Sequence, residues 1–374
     1  MAIGAYCVKF GLTKADLEEV LHIKCIKESQ NTYGGKKVPK ECHSLKTSMI
    51  QVNQKKKKRM NQMKMNKVIK HKLPATHEKW LDNRLKGIGG SDAGSVLGMN
   101  KYKSAYALWC EKTGRIHKNI DNERMRFGRD MEDYVAKRWE EETGKKCRKS
   151  GFSFQSVDHP FMLANVDRLV VGEDAGLEIK TTSEYNKDIY SKGNIPPQYY
   201  AQCMHYMAVT GLSKWYIAIY IPGVDLYCYE VLRSDDEVNA LIEQEKEFWN
   251  CVENDVEPPI DGSDSTAQAI SELHPVENDE DNIVDLTPLQ QELDALKLVK
   301  DKIKVLQDIQ KKHENEVKNY LGDSGIGTSD KFKVTWRTTT SNVFDSKEFR
   351  KDEPELYDQY LMQRKTRRFL VKEQ

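Results

Sequence analysis

Apolar residues recur at helical and strand spacings from about residue 75 onward. Periods of three and four predict helices over Ser104–Gly114, Arg126–Gly144 and IPPQYYAQCMHYMAVTG, the last of which a proline opens and Gly211 ends. Turn residues between apolar runs predict hairpins in FMLANVDRLVVGEDAGLEIKTT and in KWYIAIYIPGVDLYCYEVL. A capping box at Ser234 starts a further helix. This order predicts an α/β core at residues 76–258, with a mixed central sheet flanked by helices.

A C-terminal extension follows this core. Between Glu253 and Asp285 there are 11 acidic residues and no Lys or Arg, and residues 259–286 are predicted as an acidic linker. Residues 287–374 are predicted as a long helix, ended by Gly322, and a small hairpin in DKFKVTWRTTTSNVF. Its leucines and isoleucines recur every three or four residues. This pattern favours packing of the helix on its own tail, and the alternative is a coiled-coil seam between subunits.

The first 75 residues are strongly basic, with 17 Lys or Arg against 5 Asp or Glu. The block QVNQKKKKRMNQMKMNKVIKH has little apolar periodicity, which is typical of a solvated, flexible segment. The alternative is an arm that binds DNA phosphates. His22, Cys25, Cys42 and His43 match no common zinc-finger spacing, so the sequence does not favour a zinc site there.

The composition narrows the class of protein. Hydrophobic residues make up 38% and charged residues 31%, and no apolar run is long enough to cross a membrane. Eight scattered cysteines form no CxxC motif, which favours reduced thiols and a cytoplasmic protein. The net charge of +1 does not exclude nucleic acid as a partner, because the basic residues are concentrated locally.

The stretch GLEIKTT places an acid and a lysine two residues apart. Residues i and i+2 of a strand share a face, so Glu178 and Lys180 point the same way while Ile179 points into the core. An exposed ion pair contributes less than about 1 kcal/mol. The pair is therefore either an indifferent surface feature or part of a site that acts on one atom.

Other polar residues converge on this strand. A hairpin of this length brings Asp167 beside Glu178, Glu132 lies near the start of an amphipathic helix, and Gln202 and Tyr206 share a helical face. Magnesium prefers oxygen ligands, and carboxylates gathered this closely repel one another without a cation. Phosphodiester cleavage needs a hydroxide-like nucleophile and neutralised charge, which Mg²⁺ and a lysine supply.

This order of residues resembles the PD-(D/E)xK nucleases and, within them, the RecB-like branch with its QxxxY helix. The segment WLDNRLKGIGGSDAGSVLGMNKYKSAYALWCEKTG resembles the opening of YqaJ-type viral recombinases, relatives of the phage lambda exonuclease. The stretch FGRDMEDYV matches the family's helix acid at Glu132, and ANVDRLV its metal aspartate at Asp167. The stretch LEIK matches its ExK pair, and QYYAQCMHYMAVTG its Gln/Tyr helix. The resemblance spans roughly residues 80–220.

The resemblance implies a lambda-exonuclease-like fold and a Mg²⁺- or Mn²⁺-dependent 5′→3′ exonuclease that acts on linear duplex DNA. Digestion would leave a 3′ single strand for a single-strand annealing protein. The enzyme would be a homo-oligomer, with a trimeric ring as its form. Metal ligands would be Glu132, Asp167, Glu178 and the Ile179 carbonyl. Lys180 would orient the water, Gln202 and Tyr206 would steady Lys180 or the backbone, and Arg84 with Ser91 would grip the 5′ phosphate. The alternatives are a PD-(D/E)xK endonuclease and a non-catalytic DNA-binding scaffold.

Overall fold

The computed structural model describes residues 23–25, 68–74, 76–116, 122–276, 283–363 and 366–372. The chain divides into two compact units, Met1–His274 and Pro275–Gln374. Most of the basic N-terminal region lies outside the described residues, and with it the hypothesis of a DNA-binding arm and the zinc alternative.

The described residues of the first unit alternate between helices and short strands. The helices are α1 (His77–Leu85), α2 (Gly90–Val96), α3 (Ala105–Lys112), α4 (Glu123–Thr143), α5 (Lys187–Tyr190), α6 (Pro197–Thr210), α7 (Asp235–Glu253) and α8 (Asp264–Leu273). The strands are β1 (Ile23–Cys25), β2 (Val68–Lys72), β3 (Ile88–Gly89), β4 (Cys147–Arg148), β5 (Phe152–Ser156), β6 (Met162–Ala164), β7 (Arg168–Val170), β8 (Ala175–Thr181), β9 (Lys214–Ile221) and β10 (Asp225–Leu232).

The strands form two sheets. The larger has the order β1-β10-β9-β8-β7-β4, in which β8 and β9 run parallel and the other neighbours antiparallel. The smaller has the order β2-β5-β6-β3, with a parallel β3–β6 pair. The prediction of an α/β core with a mixed sheet is confirmed, including the two hairpins β7–β8 and β9–β10.

Helices cover both faces of the larger sheet. Along β9, Ile217 and Ile219 belong to a core cluster with Met204 and Met207 of α6. The intervening Ala218 belongs to a second cluster with Val135 and Trp139 of α4, which also includes Leu177 and Ile179 of β8. Because side chains alternate along a strand, Glu178 and Lys180 are on the face opposite Ile179.

The helix boundaries follow capping chemistry. Ser104 accepts from the Ala107 N–H and begins α3, and Gly144 and Gly211 end α4 and α6 in the left-handed conformation that glycine tolerates. The predicted start of α4 at Arg126 is one turn late. The Asn122 side chain accepts from the Met125 N–H and therefore starts the helix at Glu123.

The segment predicted as an acidic linker contains α8. Ala269 of this helix is fully buried, and the Thr266 hydroxyl donates to the Ser104 hydroxyl at 2.7 Å. Small residues on one face of the helix therefore pack it against α3, although its sequence neighbours are acidic.

The second unit contains a long helix, α9 (Gln290–Leu321), then β11 (Ile326–Thr328), β12 (Lys333–Thr335), α10 (Ser346–Asp352) and α11 (Pro354–Gln359). The helical C-terminal extension is confirmed. The small hairpin pairs β11 with β12, so its first strand lies upstream of the predicted segment. The Lys300 ammonium of α9 lies 5.9 Å from the centre of the Phe369 ring in the tail, while Ile303 and Leu306 on the predicted apolar stripe are each about half exposed or more. Packing of α9 on its own tail therefore stays a prediction. The coiled-coil alternative stays a hypothesis.

Two sequence expectations concern the environment of the protein. Among the described helices, none is long and apolar enough to cross a membrane. The cysteines whose state the structure describes are free thiols, as predicted: Cys110, Cys147, Cys203, Cys228 and Cys251.

Candidate active site

Strand β8 carries a charged pair on its α6-facing side. The Lys180 Nζ lies 2.6 Å from Oε1 of Glu178. Glu178 is 2% exposed, whereas the Lys180 side chain is 23% exposed. Burial opposes the charge on Lys180, but the Glu178 and Asp167 carboxylates outweigh it and raise its pKa. The pair differs from an exposed surface ion pair, because the carboxylate is buried and most of the lysine side chain is covered.

The β7–β8 hairpin brings Asp167 to the same place. Arg168 pairs with Leu177, which puts Asp167 opposite Glu178. The Asp167 Oδ2 accepts a 2.8 Å hydrogen bond from the Ile179 N–H. Burial and the neighbouring Glu178 carboxylate raise the pKa of Asp167 well above its usual range. The two carboxylates are thus close enough to disfavour their joint ionisation.

Helix α6 holds Glu178 through a chain of hydrogen bonds. The Gln202 amide donates to Oε1 of Glu178 at 2.7 Å and to the Tyr206 hydroxyl at 2.8 Å. The Tyr206 hydroxyl in turn donates to the Asn165 carbonyl at 2.9 Å. Gln202 and Tyr206 are both buried. The chain fixes the orientation of Glu178 and of the loop that precedes Asp167.

Helix α4 brings Glu132 to the edge of this site. Glu132 contributes to the raised pKa of Asp167, and its Oε1 accepts from Nη1 of Arg168. Arg168 is almost fully buried, and its Nη1 also donates to the Asp167 carbonyl at 2.7 Å. Arg168 was not predicted as a site residue. It holds the helix acid beside the strand aspartate.

One carboxylate oxygen of this cluster is a donor of the kind that a hard divalent cation binds. Oε1 of Glu178 is held by Lys180 and Gln202, but Oε2 is buried and meets no hydrogen-bond donor among the described residues. A carboxylate oxygen that is buried without a hydrogen-bond partner destabilises the folded protein, and a bound cation would offset this cost. Within the described ranges, no three His, Cys, Asp or Glu side chains form a ready-made metal cage, since Glu132 is turned to Arg168.

A second polar cluster contains the residues predicted to bind phosphate. Nη2 of Arg84, on α1, donates to the Ser91 hydroxyl at 3.1 Å and to Asp92 at 3.2 Å. The Arg84 guanidinium also lies 5.0 Å from the centre of the Trp80 ring. Buried Lys112 donates to Asp92 at 2.8 Å. Burial opposes the Asp92 charge, but Lys112 and Arg84 outweigh it and hold its pKa well below the usual range. Arg84 is thus fixed beside Ser91 at the start of α2.

Glycines of α2 join the two clusters. A Cβ at Gly90 would lie 2.4 Å from Cε1 of Tyr206, and one at Gly94 would lie 3.0 Å from the Cα of Gln198. The first turn of α2, which carries Ser91, therefore packs directly on the helix that holds Glu178. This close approach explains the glycines at 90 and 94, because a Cβ at either position would collide with Tyr206 or Gln198.

A buried ion pair beside Tyr206 was also not predicted. His205 Nδ1 lies 2.7 Å from Glu245 Oε1, and Nε2 lies 2.9 Å from the Leu163 carbonyl oxygen. Burial opposes the imidazolium, but Glu245 outweighs it and raises the pKa of His205. The 40-residue separation gave no signal in the sequence. Consecutive residues of α6 thus hold both ends of the segment 163–165.

The sequence of this chain is similar to sequences of known proteins. The family model of the YqaJ-like viral recombinase domain matches residues 79–213. The chain is 35% identical over 303 residues to the uncharacterized protein YqaJ of Bacillus subtilis (strain 168). The aligned region covers 80% of this chain and 95% of that protein.

Two solved structures are also similar. An alkaline exonuclease (LHK-Exo) from Laribacter hongkongensis has 23% identity and a TM-score of 0.40, over 48% of this chain and 93% of that one. A phage-related exonuclease from Haemophilus somnus 129PT has 10% identity and a TM-score of 0.34, over 45% of this chain and 96% of that one. The match to nearly the full length of the Bacillus relative decides membership: the chain belongs to the YqaJ-like viral recombinase family.

Proposed function

We propose that this protein is a metal-dependent deoxyribonuclease that hydrolyses phosphodiester bonds at the ends of linear duplex DNA during recombination. The observation that carries the proposal is Glu178, a buried carboxylate with one oxygen held by Lys180 and Gln202 and the other left without a donor. The description of the family as viral recombinases supports action on DNA.

The proposed metal ligands are Glu132, Asp167, Glu178 and the Ile179 carbonyl, and the ion is Mg²⁺ or Mn²⁺. When bound, it would supply an activated water and offset charge on the scissile phosphate. The raised pKa of Asp167, caused by burial and by Glu178, supports this assignment, because a cation would relieve the repulsion between the two groups.

The remaining residues of the site have separate roles. Lys180 stays charged beside Glu178, and its partly exposed ammonium orients the attacking water and meets the negative charge that develops on phosphorus. Gln202 and Tyr206 fix the Glu178 carboxylate and the Asn165 carbonyl, so that the ligands keep their positions during the reaction.

Arg84 and Ser91 are proposed to bind the terminal 5′ phosphate. A guanidinium and a hydroxyl 3.1 Å apart at the first turn of a helix present donors to one anion. End recognition implies 5′→3′ digestion that leaves a 3′ single strand for an annealing protein. We also propose that the enzyme acts in the cytoplasm of a bacterial or virus-infected cell, as a homo-oligomer, with a trimeric ring as the expected form.

The direct test uses purified protein, Mg²⁺ or Mn²⁺, and linear duplexes with or without 5′ phosphates, labelled at either end. Release of label from phosphorylated 5′ ends, with a covalently closed circle left intact, is the expected result. Cutting of the circle would replace the proposal with an endonuclease. If the protein binds linear DNA but cuts it with neither metal, the remaining interpretation is a non-catalytic scaffold.

A further inference from the structure

The loop between α2 and α3 is firmly attached at its base. The backbone N–H groups of Met99 and Asn100 donate to the Gly94 carbonyl at 2.7 and 2.9 Å. The Asn100 side chain bonds to Ser95 at 3.2 Å and accepts from the Tyr102 N–H at 2.9 Å. These bonds tie the backbone at Tyr102 to α2.

This attachment places the loop beside the candidate active site. Gly94 packs on Gln198, in the first turn of α6. The next residue, Tyr199, presents its ring to Lys180, whose Nζ lies 5.1 Å from the ring centre. Burial raises the pKa of Tyr199, and Lys180, Tyr102 and Lys101 are all among the groups that act on it. The loop that carries Lys101 and Tyr102 therefore starts from the part of α2 that packs on the first turn of α6, next to the ring that Lys180 contacts.

The two residues at this position are exposed and paired with each other. The Tyr102 side chain is 73% exposed, and the Lys101 Nζ lies 4.8 Å from the centre of its ring. Within the part of the chain that the structure describes, no carboxylate lies within ion-pair distance of Lys101. An ammonium covers only one face of a ring, so this exposure leaves the other face open.

We propose that Tyr102 is a stacking surface for a nucleobase of the strand being cut and that Lys101 contacts the adjacent phosphate. An exposed aromatic ring beside an exposed cation is the arrangement by which proteins hold unpaired nucleotides, because every base has a π-face and every linkage carries a charge. The ligand is thus a nucleotide unpaired from the duplex end. This inference rests on the proposed nuclease function, since it assigns a further subsite to the same substrate.

The test measures binding without cutting, in EDTA. The probe is a 5′-phosphorylated duplex with 2-aminopurine among the first three nucleotides of the 5′ strand, and a matched duplex has an abasic site in its place. Full-length wild type is compared with Tyr102→Ala, Tyr102→Phe, Lys101→Gln and the control Tyr320→Ala, whose side chain is 94% exposed on α9. Anisotropy gives the affinity, and 2-aminopurine fluorescence reports stacking.

Tyr102→Ala is expected to bind the probe about tenfold more weakly, which corresponds to about 1.4 kcal/mol, and to lose the fluorescence change. Tyr102→Phe and Tyr320→Ala should match wild type, and the abasic duplex should abolish the difference caused by Tyr102→Ala. Lys101→Gln should lower the dependence of binding on log salt by about one phosphate contact.

The outcomes separate the two proposals. If wild type cuts linear DNA in Mg²⁺ but Tyr102→Ala keeps normal affinity and fluorescence, the stacking surface is refuted and the nuclease stands. If wild type cuts nothing but its fluorescence change requires Tyr102, the nuclease is refuted and the stacking surface stands. Failure of wild type to bind the probe refutes the stacking surface, and cutting of linear DNA in Mg²⁺ or Mn²⁺ then decides the nuclease by itself.

Discussion

The Gln202 side-chain amide donates to the Glu178 carboxylate at 2.7 Å, which ties helix α6 to strand β8 at the centre of the candidate site. The same amide bonds to the Tyr206 hydroxyl at 2.8 Å. Because both of its N–H groups have buried acceptors, the amide has one orientation, and Glu178 has one as well.

Replacement of this amide is expected to disturb Glu178, the proposed metal ligand. Gln202→Ala removes a donor from Glu178 and should lower kcat or apparent Mg²⁺ affinity by about 10- to 100-fold, the usual effect of losing a residue that orients a ligand. Tyr206→Phe is the matched control. It keeps the Gln202–Glu178 bond, so its loss should be smaller when the Mg²⁺ dependence of cleavage is measured. Equal losses in both variants would contradict the larger role assigned to Gln202.

Lys180→Ala is expected to fold and to bind duplex DNA, but to cut it at least about 100-fold more slowly, the scale of one preorganised transition-state contact. Lys246→Ala is a suitable control, because this lysine is exposed on α7 and pairs only loosely with Glu243 at 3.8 Å. Single-turnover cleavage with circular dichroism as a check on folding measures the effect. Near-normal cutting by Lys180→Ala would refute the assignment.

Arg84→Gln is expected to reduce the preference for phosphorylated over unphosphorylated 5′ ends by about tenfold, since a charged hydrogen bond to the phosphate is lost. Rates on 5′-hydroxyl ends should change much less. Ser91→Ala removes only a neutral donor and should have a smaller effect on the same ratio. If Arg84→Gln leaves the preference for phosphorylated ends unchanged, the terminal phosphate binds elsewhere on the protein.

The contact between α2 and α6 leaves no room at Gly90. Gly90→Ala places a methyl group 2.4 Å from Cε1 of Tyr206 and should destabilise the protein by about 1–3 kcal/mol, with loss of cleavage. Gly128→Ala is the control within a helix, because its methyl group would make an ordinary 3.6 Å contact with Thr181. Urea unfolding should therefore show Gly128→Ala to be neutral or stabilised.

The buried His205–Glu245 pair predicts a pH-dependent stability. Below the ordinary imidazole pKa near 6.5, folded and unfolded chains both carry the proton, and the stabilisation is complete. As pH rises from 6.5 through the raised folded-state pKa, the folded chain retains a proton that the unfolded chain has released, and this contribution is lost.

His205→Gln should remove this pH dependence, and at pH 6 it should cost about 3–5 kcal/mol, because Glu245 is then buried without its partner. Thermal unfolding from pH 5.5 to 9 measures both effects. A double variant, His205→Gln with Glu245→Gln, should lose less than the sum of the single losses. Asp92, a nearby charge that also acts on His205, is unchanged in every variant.

Local rules predicted the parts of the site that lie close together in sequence. Strand alternation placed Glu178 and Lys180 on one face, and the hairpin brought Asp167 to Glu178 because its short connection fixes the register. Capping preferences located the ends of the helices at Gly144 and Gly211.

The unpredicted parts depend on tertiary contacts. Arg168 reaches Glu132 across 36 residues, and His205 reaches Glu245 across 40, so neither pair leaves a periodic signal. The local sequence around a buried histidine or arginine is the same whether or not a distant helix supplies a carboxylate partner, so it does not reveal the pair. The tail hairpin was misplaced for another reason: β11 begins with Ile326-Gly327, too short and too glycine-rich to resemble a strand.

The glycine contact between α2 and α6 has a consequence for the size of the product. Packing this close leaves no gap into which either helix could shift, so the first turn of α2, with Ser91, is held in place against α6. In the proposed nuclease, a 5′ terminus bound at this fixed place would be cut at a constant distance, so the released fragments would have a single length, whatever the sequence of the DNA.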